Sequence, residues 1–351
     1  MNTTLLESTV RALVARGKGI LAADESTTSA NKRFALVGIE ETEENRRLYR
    51  QLLLTTPEAK QAISGVIFYD ETFWQKTDDG RTMSAFCAEN GILPGIKVDE
   101  GLIDLPGFNG EKLTKGLDGL PPRMEKYRDS GAKFAKWRSV ITIGQVDGEG
   151  IPSSECITAN AFVLARYARI CQDYDIVPIV EPEVLFDGNH TKEVCEDVTN
   201  RTYTALFIAM NAFRVHLPGA ILKTGMVLPG KDSGVASVPS EVAEQTVRAL
   251  HSYVPKELGG VVFLSGGQTP SASFLNLDAI AKAGPHPWGL TFSYSRALQD
   301  PVLKYWAENR ADVEGAKKIF AHQLAIAVDA TKGELKSDSL GGDFVSTSQD
   351  L

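Results

Sequence analysis

Eight short apolar segments, each bounded by glycine or proline, do most to restrict how this chain of 351 residues can fold. They are GILAAD (19–24), GVIFYD (65–70), GIKVD (95–99), KFAKWR (133–138), VPIVEP (177–182), GAILK (219–223), GVVFLSGG (260–267) and WGLTFSYS (288–295). Short apolar runs between turn residues read as strands buried on both faces. Between most of them lie helical patterns at 43–54, 159–174, 202–216, 240–254 and 277–283, with a last one at 314–330. Ser240, after Pro239 and before Glu241, reads as a helix start. Strands alternating with helices imply parallel pairing, in either a (β/α)8 barrel or a doubly wound open sheet. A barrel gathers the ends of all its strands at one mouth, whereas an open sheet spreads them along an edge. The charged residues sit at or near the ends of the apolar runs, so we expect an α/β protein with a single (β/α)8 TIM barrel over residues 1–331. An amphipathic helix in MNTTLLESTVRALVARGKGI precedes it, and a polar, flexible tail at 332–351 follows.

Three of these charged residues are lysines inside apolar runs: Lys97, Lys136 and Lys223. A buried ammonium is costly unless it is paired or gives up its proton. One such lysine reads as a structural ion pair. Three, accompanied by Asp24, Glu181 and Glu183 in similar positions, point to one site built for amine chemistry. Arg138, two residues beyond Lys136, faces the same side of an extended strand.

Charge and composition exclude several partners. With a net charge of −8 and no basic stripe, the surface repels nucleic acid and anionic lipid. No apolar run approaches membrane-spanning length and the N-terminus does not read as a signal peptide, so a cytoplasmic location is expected. Cys87, Cys156, Cys171 and Cys195 are widely spaced, as reduced buried thiols would be, and the sequons at Asn2, Asn189 and Asn200 then read as chance matches. The histidines at 190, 216, 251, 286 and 322 are isolated, with no HExxH or paired-carboxylate spacing, so no metal is expected. An anionic ligand needs a local pocket. Ser265, Gly266 and Gly267 after the seventh run, with Arg296 after the eighth, offer backbone N–H groups and a cation where phosphate-binding barrels place them. Gly17, Lys18 and Gly19 lack the P-loop spacing and read as a turn.

The motifs LAADES (21–26), TEENRRLYRQLLLTT (42–56), GIKVD (95–99), LDGL (117–120), AKFAKWR (132–138), VPIVEPE (177–183), VFLSGGQ (262–268) and LTFSYSRALQ (290–299) closely resemble those of the class I fructose-1,6-bisphosphate aldolases. The likeness runs collinearly over about residues 17–331. It implies a barrel, a homotetramer, no metal and no cofactor, and reversible cleavage of fructose 1,6-bisphosphate, with sedoheptulose 1,7-bisphosphate as a further substrate. Carried over by position, it makes Lys223 the Schiff-base nucleophile. A free lysine has a pKa of about 10.4, so attack near neutrality asks for a depression of roughly three units, about 4 kcal/mol. Lys136 is the neighbouring cation expected to supply it. The resemblance also makes Glu181 the general acid/base, has Glu183 complete the charge network around both lysines, and places Asp24 on the substrate hydroxyls. The carbon-1 phosphate falls to Ser265, Gly266, Gly267, Arg296, Ser293 and Ser295, and the distal phosphate to Arg33, Lys97, Arg138 and Ser29. Two other readings are a catalytically silent relative and a metal-dependent barrel lyase.

Three departures stand out. Thr224 and Gly225 follow Lys223 where relatives carry proline and a small polar residue, and Ser295 stands where they carry glycine. The last tyrosine is Tyr305, whereas many relatives end in one.

Overall fold

All eight apolar runs form strands in the computed structural model, which describes residues 1–340. They are β1 Gly19–Ala23, β2 Ile63–Phe68, β3 Leu93–Lys97, β4 Phe134–Ile141, β5 Val177–Val184, β6 Ile221–Thr224, β7 Gly260–Phe263 and β8 Gly289–Tyr294. Each pairs in parallel with the next and β8 returns to β1, with Ile20 opposite Ser293. The sheet is therefore a closed (β/α)8 barrel and not an open, doubly wound one. Strand bounds differ from the expected ones in a consistent way. Asp24, Asp70 and Asp99 fall just past their strands, while β4 and β5 continue to Ile141 and Val184 because they pair along eight residues. Two antiparallel hairpins follow β3 and β4: Leu102–Asp104 with Lys112–Thr114, and Gly144–Val146 with Glu149–Ile151.

The helix Glu43–Leu54 lies where expected, capped by the Thr42 hydroxyl, with Glu43 and Glu44 in its first turn opposing the helix dipole. Helices Ser154–Asp173, Lys192–Ala212 and Pro270–Lys282 begin earlier than their apolar periodicity, at caps supplied by Ser153, Thr191 and Thr269. Helix Pro239–Tyr253 starts at Pro239 with no side-chain cap, so Ser240 is not its start signal. Helices Thr27–Leu36 and Arg296–Glu308 have no counterpart among the expected ones. The second is hidden in the sequence by an internal proline, Pro301.

The barrel interior is dry at its N-terminal end. Leu6, Val10 and Leu13 of the first helix, Thr3–Leu13, pack against Ile20, Ile67, Phe134, Val177, Ile179, Ile221 and Val262. Each such side chain contributes about 1.5–3 kcal/mol on full burial. Close packing in this layer explains glycines in the strands. A Cβ on Gly289 would fall 2.4 Å from Val14, and one on Gly95 would fall 2.3 Å from the Phe134 ring. A larger cluster fills the layer between strands and helices.

The chain stays packed past residue 331. The Leu335 N–H donates to Asp278 Oδ1 at 2.9 Å, and Leu335 and Leu340 lie against the core. The remainder of the expected tail, 341–351, lies outside the described residues. All four cysteines are buried free thiols. Among the described residues no helix is long and apolar enough to cross a membrane.

Candidate active site

Strand register brings the charged residues together. Lys97 of β3 lies opposite Lys136 of β4, and Arg138 lies opposite Glu181 of β5. Lys223 stands near the end of the adjacent β6, and Asp24 follows the last residue of β1. Lys136, Glu181 and Lys223 are each less than 5% exposed. Lys136 Nζ is 2.7 Å from Asp24 Oδ2 and 3.1 Å from Glu181 Oε2, while Glu181 Oε1 is 2.9 Å from Lys223 Nζ. Two ammonium groups and two carboxylates thus alternate in a buried row.

Mutual pairing overcomes desolvation along this row. Burial alone would raise the Asp24 carboxyl, but Lys136, and behind it Lys223 and Lys97, hold it well below the usual carboxylate range. Glu181 is likewise lowered against its burial by Lys136, Lys223 and Arg138. Burial would push Lys136 down, but Asp24 and Glu181 raise it above the ordinary lysine value. Lys136 is therefore a fixed cation. Lys223 sits at the end of the row, beside the Glu181 carboxylate.

Above the row lies a cavity of about 370 Å³. Its walls include Ser29, Lys97, Asp99 and Arg138, together with Ser265, Gly266, Ser293, Ser295 and Arg296. In the strand ring β3 stands opposite β7 and β4 opposite β8, so Lys97 and Arg138 face Ser265, Gly266, Ser293 and Arg296 across the mouth, while Ser29 lies after β1, beside β8. The buried Ser293 hydroxyl has no hydrogen-bond partner among the described residues. A Cβ on Gly266 would lie 3.0 Å from Leu264 Cδ1 and 3.1 Å from Glu183 Oε1, so a side chain there would have to push these groups aside. Ser26 caps the helix Thr27–Leu36, whose first turn carries Ser29 at the cavity wall.

Several expected site residues are placed differently. Glu183 pairs with Arg138 and not with Lys136 or Lys223, because it lies two residues, about 7 Å, further along β5 than Glu181. Arg33 does not line the cavity; it pairs with Glu25, and with Asp300 at 2.6 Å. Gly267 also stays off the wall: its φ is +76°, and a Cβ there would fall 2.1 Å from Phe186. Lys97 is engaged by Asp99 at 2.7 Å.

Glu25 and Asp99 are cavity residues that the sequence reading missed. Each lies within two residues of a charged group that was recognised, and that adjacency was the available signal. Glu25 receives Arg50 at 2.5 Å and the Ser295 hydroxyl at 2.5 Å. The extra hydroxyl at position 295 is thus taken up by a carboxylate. Burial would raise Glu25, but Arg50 and Arg33 hold it lowered.

The histidines are less isolated in space than in sequence. His251 Nε2 lies 3.2 Å from His286 Nδ1, and His190 is buried. No group of three or more His, Cys, Asp or Glu side chains that could hold a metal occurs among the described residues.

Known proteins similar to this chain fall in one family. A sequence model of the family described as fructose-bisphosphate aldolase class-I matches residues 5–348. The chain is 52% identical over 309 residues to a probable fructose-bisphosphate aldolase class 1 of Xanthomonas campestris pv. campestris, covering 88% of this chain and 91% of that protein. It is 49% identical over 333 residues to the cytosolic fructose-bisphosphate aldolase 4 of Arabidopsis thaliana, covering 95% and 84% respectively. The Plasmodium falciparum fructose-bisphosphate aldolase, solved in complex with TRAP and a small-molecule inhibitor, superposes with a TM-score of 0.92 at 44% identity, covering 95% of this chain and 96% of that one. With a match over nearly its whole length and relatives near half identical, the chain belongs to the class-I fructose-bisphosphate aldolase family and is a carbon–carbon lyase.

Proposed function

We propose that the chain cleaves fructose 1,6-bisphosphate reversibly to dihydroxyacetone phosphate and glyceraldehyde 3-phosphate through a Schiff base on Lys223. The observation that carries this reading is the 2.9 Å contact of Lys223 with Glu181 beneath a cavity with anion-binding groups on opposite walls. Glu181 accepts a proton from Lys223, freeing the nitrogen lone pair. The amine attacks carbon 2 of the ketone, whose oxygen takes the proton back from Glu181. Glu181 then takes a second proton from the nitrogen and gives it to the hydroxyl, which departs as water and leaves a protonated imine. The bond between carbons 3 and 4 then breaks, its electron pair moving into the imine to give an enamine. The carbon-4 hydroxyl proton passes to Asp24, and glyceraldehyde 3-phosphate leaves. Protonation at carbon 3 and hydrolysis of the imine release dihydroxyacetone phosphate and regenerate Lys223. Lys136 remains an ammonium throughout and balances the carboxylates on either side.

Ser265, Gly266, Ser293 and Arg296, with the backbone at Ser295, are proposed to hold the carbon-1 phosphate. Ser29, Lys97 and Arg138 are proposed to hold the distal one. Glu183 keeps Arg138 in place, and Arg33 acts from behind the wall through Glu25. Lys97 and Arg138 have long stems that span a difference of one carbon, so the proposal extends to sedoheptulose 1,7-bisphosphate. Neither a metal nor an organic cofactor takes part in this scheme. We place the enzyme in the cytoplasm as a homotetramer, with exposed Phe162 and Ile208 among the apolar groups that subunit contact would cover. Light scattering on the purified chain checks the mass.

The deciding experiment is borohydride reduction in the presence of EDTA and fructose 1,6-bisphosphate, followed by peptide mass spectrometry. A substrate-derived adduct on Lys223, together with loss of turnover in Lys223→Ala, is the expected result. A folded, active protein without an adduct overturns the scheme.

A further inference from the structure

We propose that a buried hydrogen bond from Tyr203 to Thr224 positions the Lys223 amine and ties it to the phosphate-binding turn after β7; this rests on Lys223 being the imine-forming residue. Successive side chains of a strand point to opposite faces. Lys223 faces the cavity, so Thr224 faces the helix layer, where Tyr203 of helix Lys192–Ala212 is 1% exposed. The Tyr203 hydroxyl lies 2.8 Å from Thr224 Oγ1, and Thr224 Oγ1 donates in turn to the Gly225 carbonyl at 3.2 Å. The phenol is therefore the donor in the first contact. Burial pushes the phenol above its usual range, so it keeps that proton across the working pH range.

Thr224 is held from a second direction. Its carbonyl accepts the Leu264 N–H at 2.9 Å, and Leu264 leads directly into Ser265 and Gly266. One residue thus joins the backbone beneath the amine to the opening of the anion nest.

β7 pairs with this strand as far as Thr224, whereas β5 pairs with it only as far as Leu222. β6 is four residues long and ends at Thr224. The next residue is Gly225, where an added Cβ would meet nothing closer than 3.9 Å, beside a void of about 10 Å³ that Leu264 and Gly266 also line. Beyond it, Gln268 Nε2 donates to Met226 Sδ at 3.8 Å and Thr246 Oγ1 accepts the Val227 N–H at 3.0 Å. A lysine has a long, flexible stem, so its amine can be aimed only as well as its Cα is fixed. The Thr224 hydroxyl, held by a buried phenol, fixes that point.

The test compares Tyr203→Phe, Thr224→Val and Thr224→Ser with the parent. Measured quantities are kcat, KM, thermal unfolding and the rate at which the borohydride-trapped adduct accumulates on Lys223. A displacement near 1 Å costs up to about a hundredfold in rate. Tyr203→Phe and Thr224→Val should therefore lower kcat and the trapping rate together by about tenfold or more, with KM within about twofold. Thr224→Ser keeps the hydroxyl and should restore both rates. Trapping at the parental rate in either hydroxyl-lacking variant overturns the proposal, as does a Thr224→Ser protein as slow as Thr224→Val. Failure of the Lys223 reading would show separately, as no adduct in the parent.

Discussion

The two ends of the barrel are made from the same eight strands and solve opposite problems. At the N-terminal end Leu6, Val10 and Leu13 enter a ring of Ile, Val and Phe side chains, and burial there stabilises the fold outright. At the C-terminal end the strands bury Asp24, Lys136, Glu181 and Lys223, which cost solvation and recover it only through one another. One end can therefore be weakened without touching chemistry. The other cannot lose a member without leaving a partner uncompensated.

Substitutions should separate the ends cleanly. Glu181→Gln, which keeps the shape but removes the shared carboxylate, should lower kcat by about 10²–10⁴-fold, measured by coupled assay. A loss below about threefold would mean that another group moves the Lys223 proton. At the dry end, Leu13→Ala should cost about 2–5 kcal/mol in denaturant unfolding while kcat stays within about twofold. A comparable fall in kcat would show that the two ends are mechanically coupled.

Acid should act on the charged end selectively. Asp24, Glu25 and Glu181 have folded pKa values below their ordinary ones, so the unfolded chain binds more protons as pH falls. Their stabilisation is complete above the unfolded carboxylate range, about pH 4–4.5, and is lost as pH drops through the lowered values. Lys136 behaves oppositely: its stabilisation is present below about pH 10 and is lost as pH rises through its raised value. Asp24→Asn should flatten the acid limb of the stability curve, read by urea unfolding at several pH values. The smallest effect is expected from Ser295→Gly. It removes one hydrogen bond to Glu25, about 1–2 kcal/mol, and should leave KM for fructose 1,6-bisphosphate within about threefold.

The barrel was legible because its strands are short, apolar and marked by glycine, and those glycines are where the plug and Phe134 approach the backbone. The buried row was legible for a different reason: a lysine inside an apolar run is anomalous wherever it occurs. Partner choice was not legible. Glu181 and Glu183 look equivalent in VPIVEPE, and only the height of each on β5 assigns one to the lysines and the other to Arg138. Arg33 finds Asp300 across 267 positions of chain, a pairing no local pattern encodes. Helix starts slipped where a Ser or Thr cap preceded the apolar periodicity, as at Thr191 before Lys192–Ala212.

The pairing of β1 with β8 also governs how the chain can be made. Residues 19–23 lie far in sequence from their second neighbour, 289–294. Until that last strand emerges, the growing sheet has two open edges capable of joining another chain. The first helix cannot seat fully either, because Val14 packs against Gly260 and Gly289. A chain lacking the last strand therefore leaves the apolar face of the first helix only partly covered.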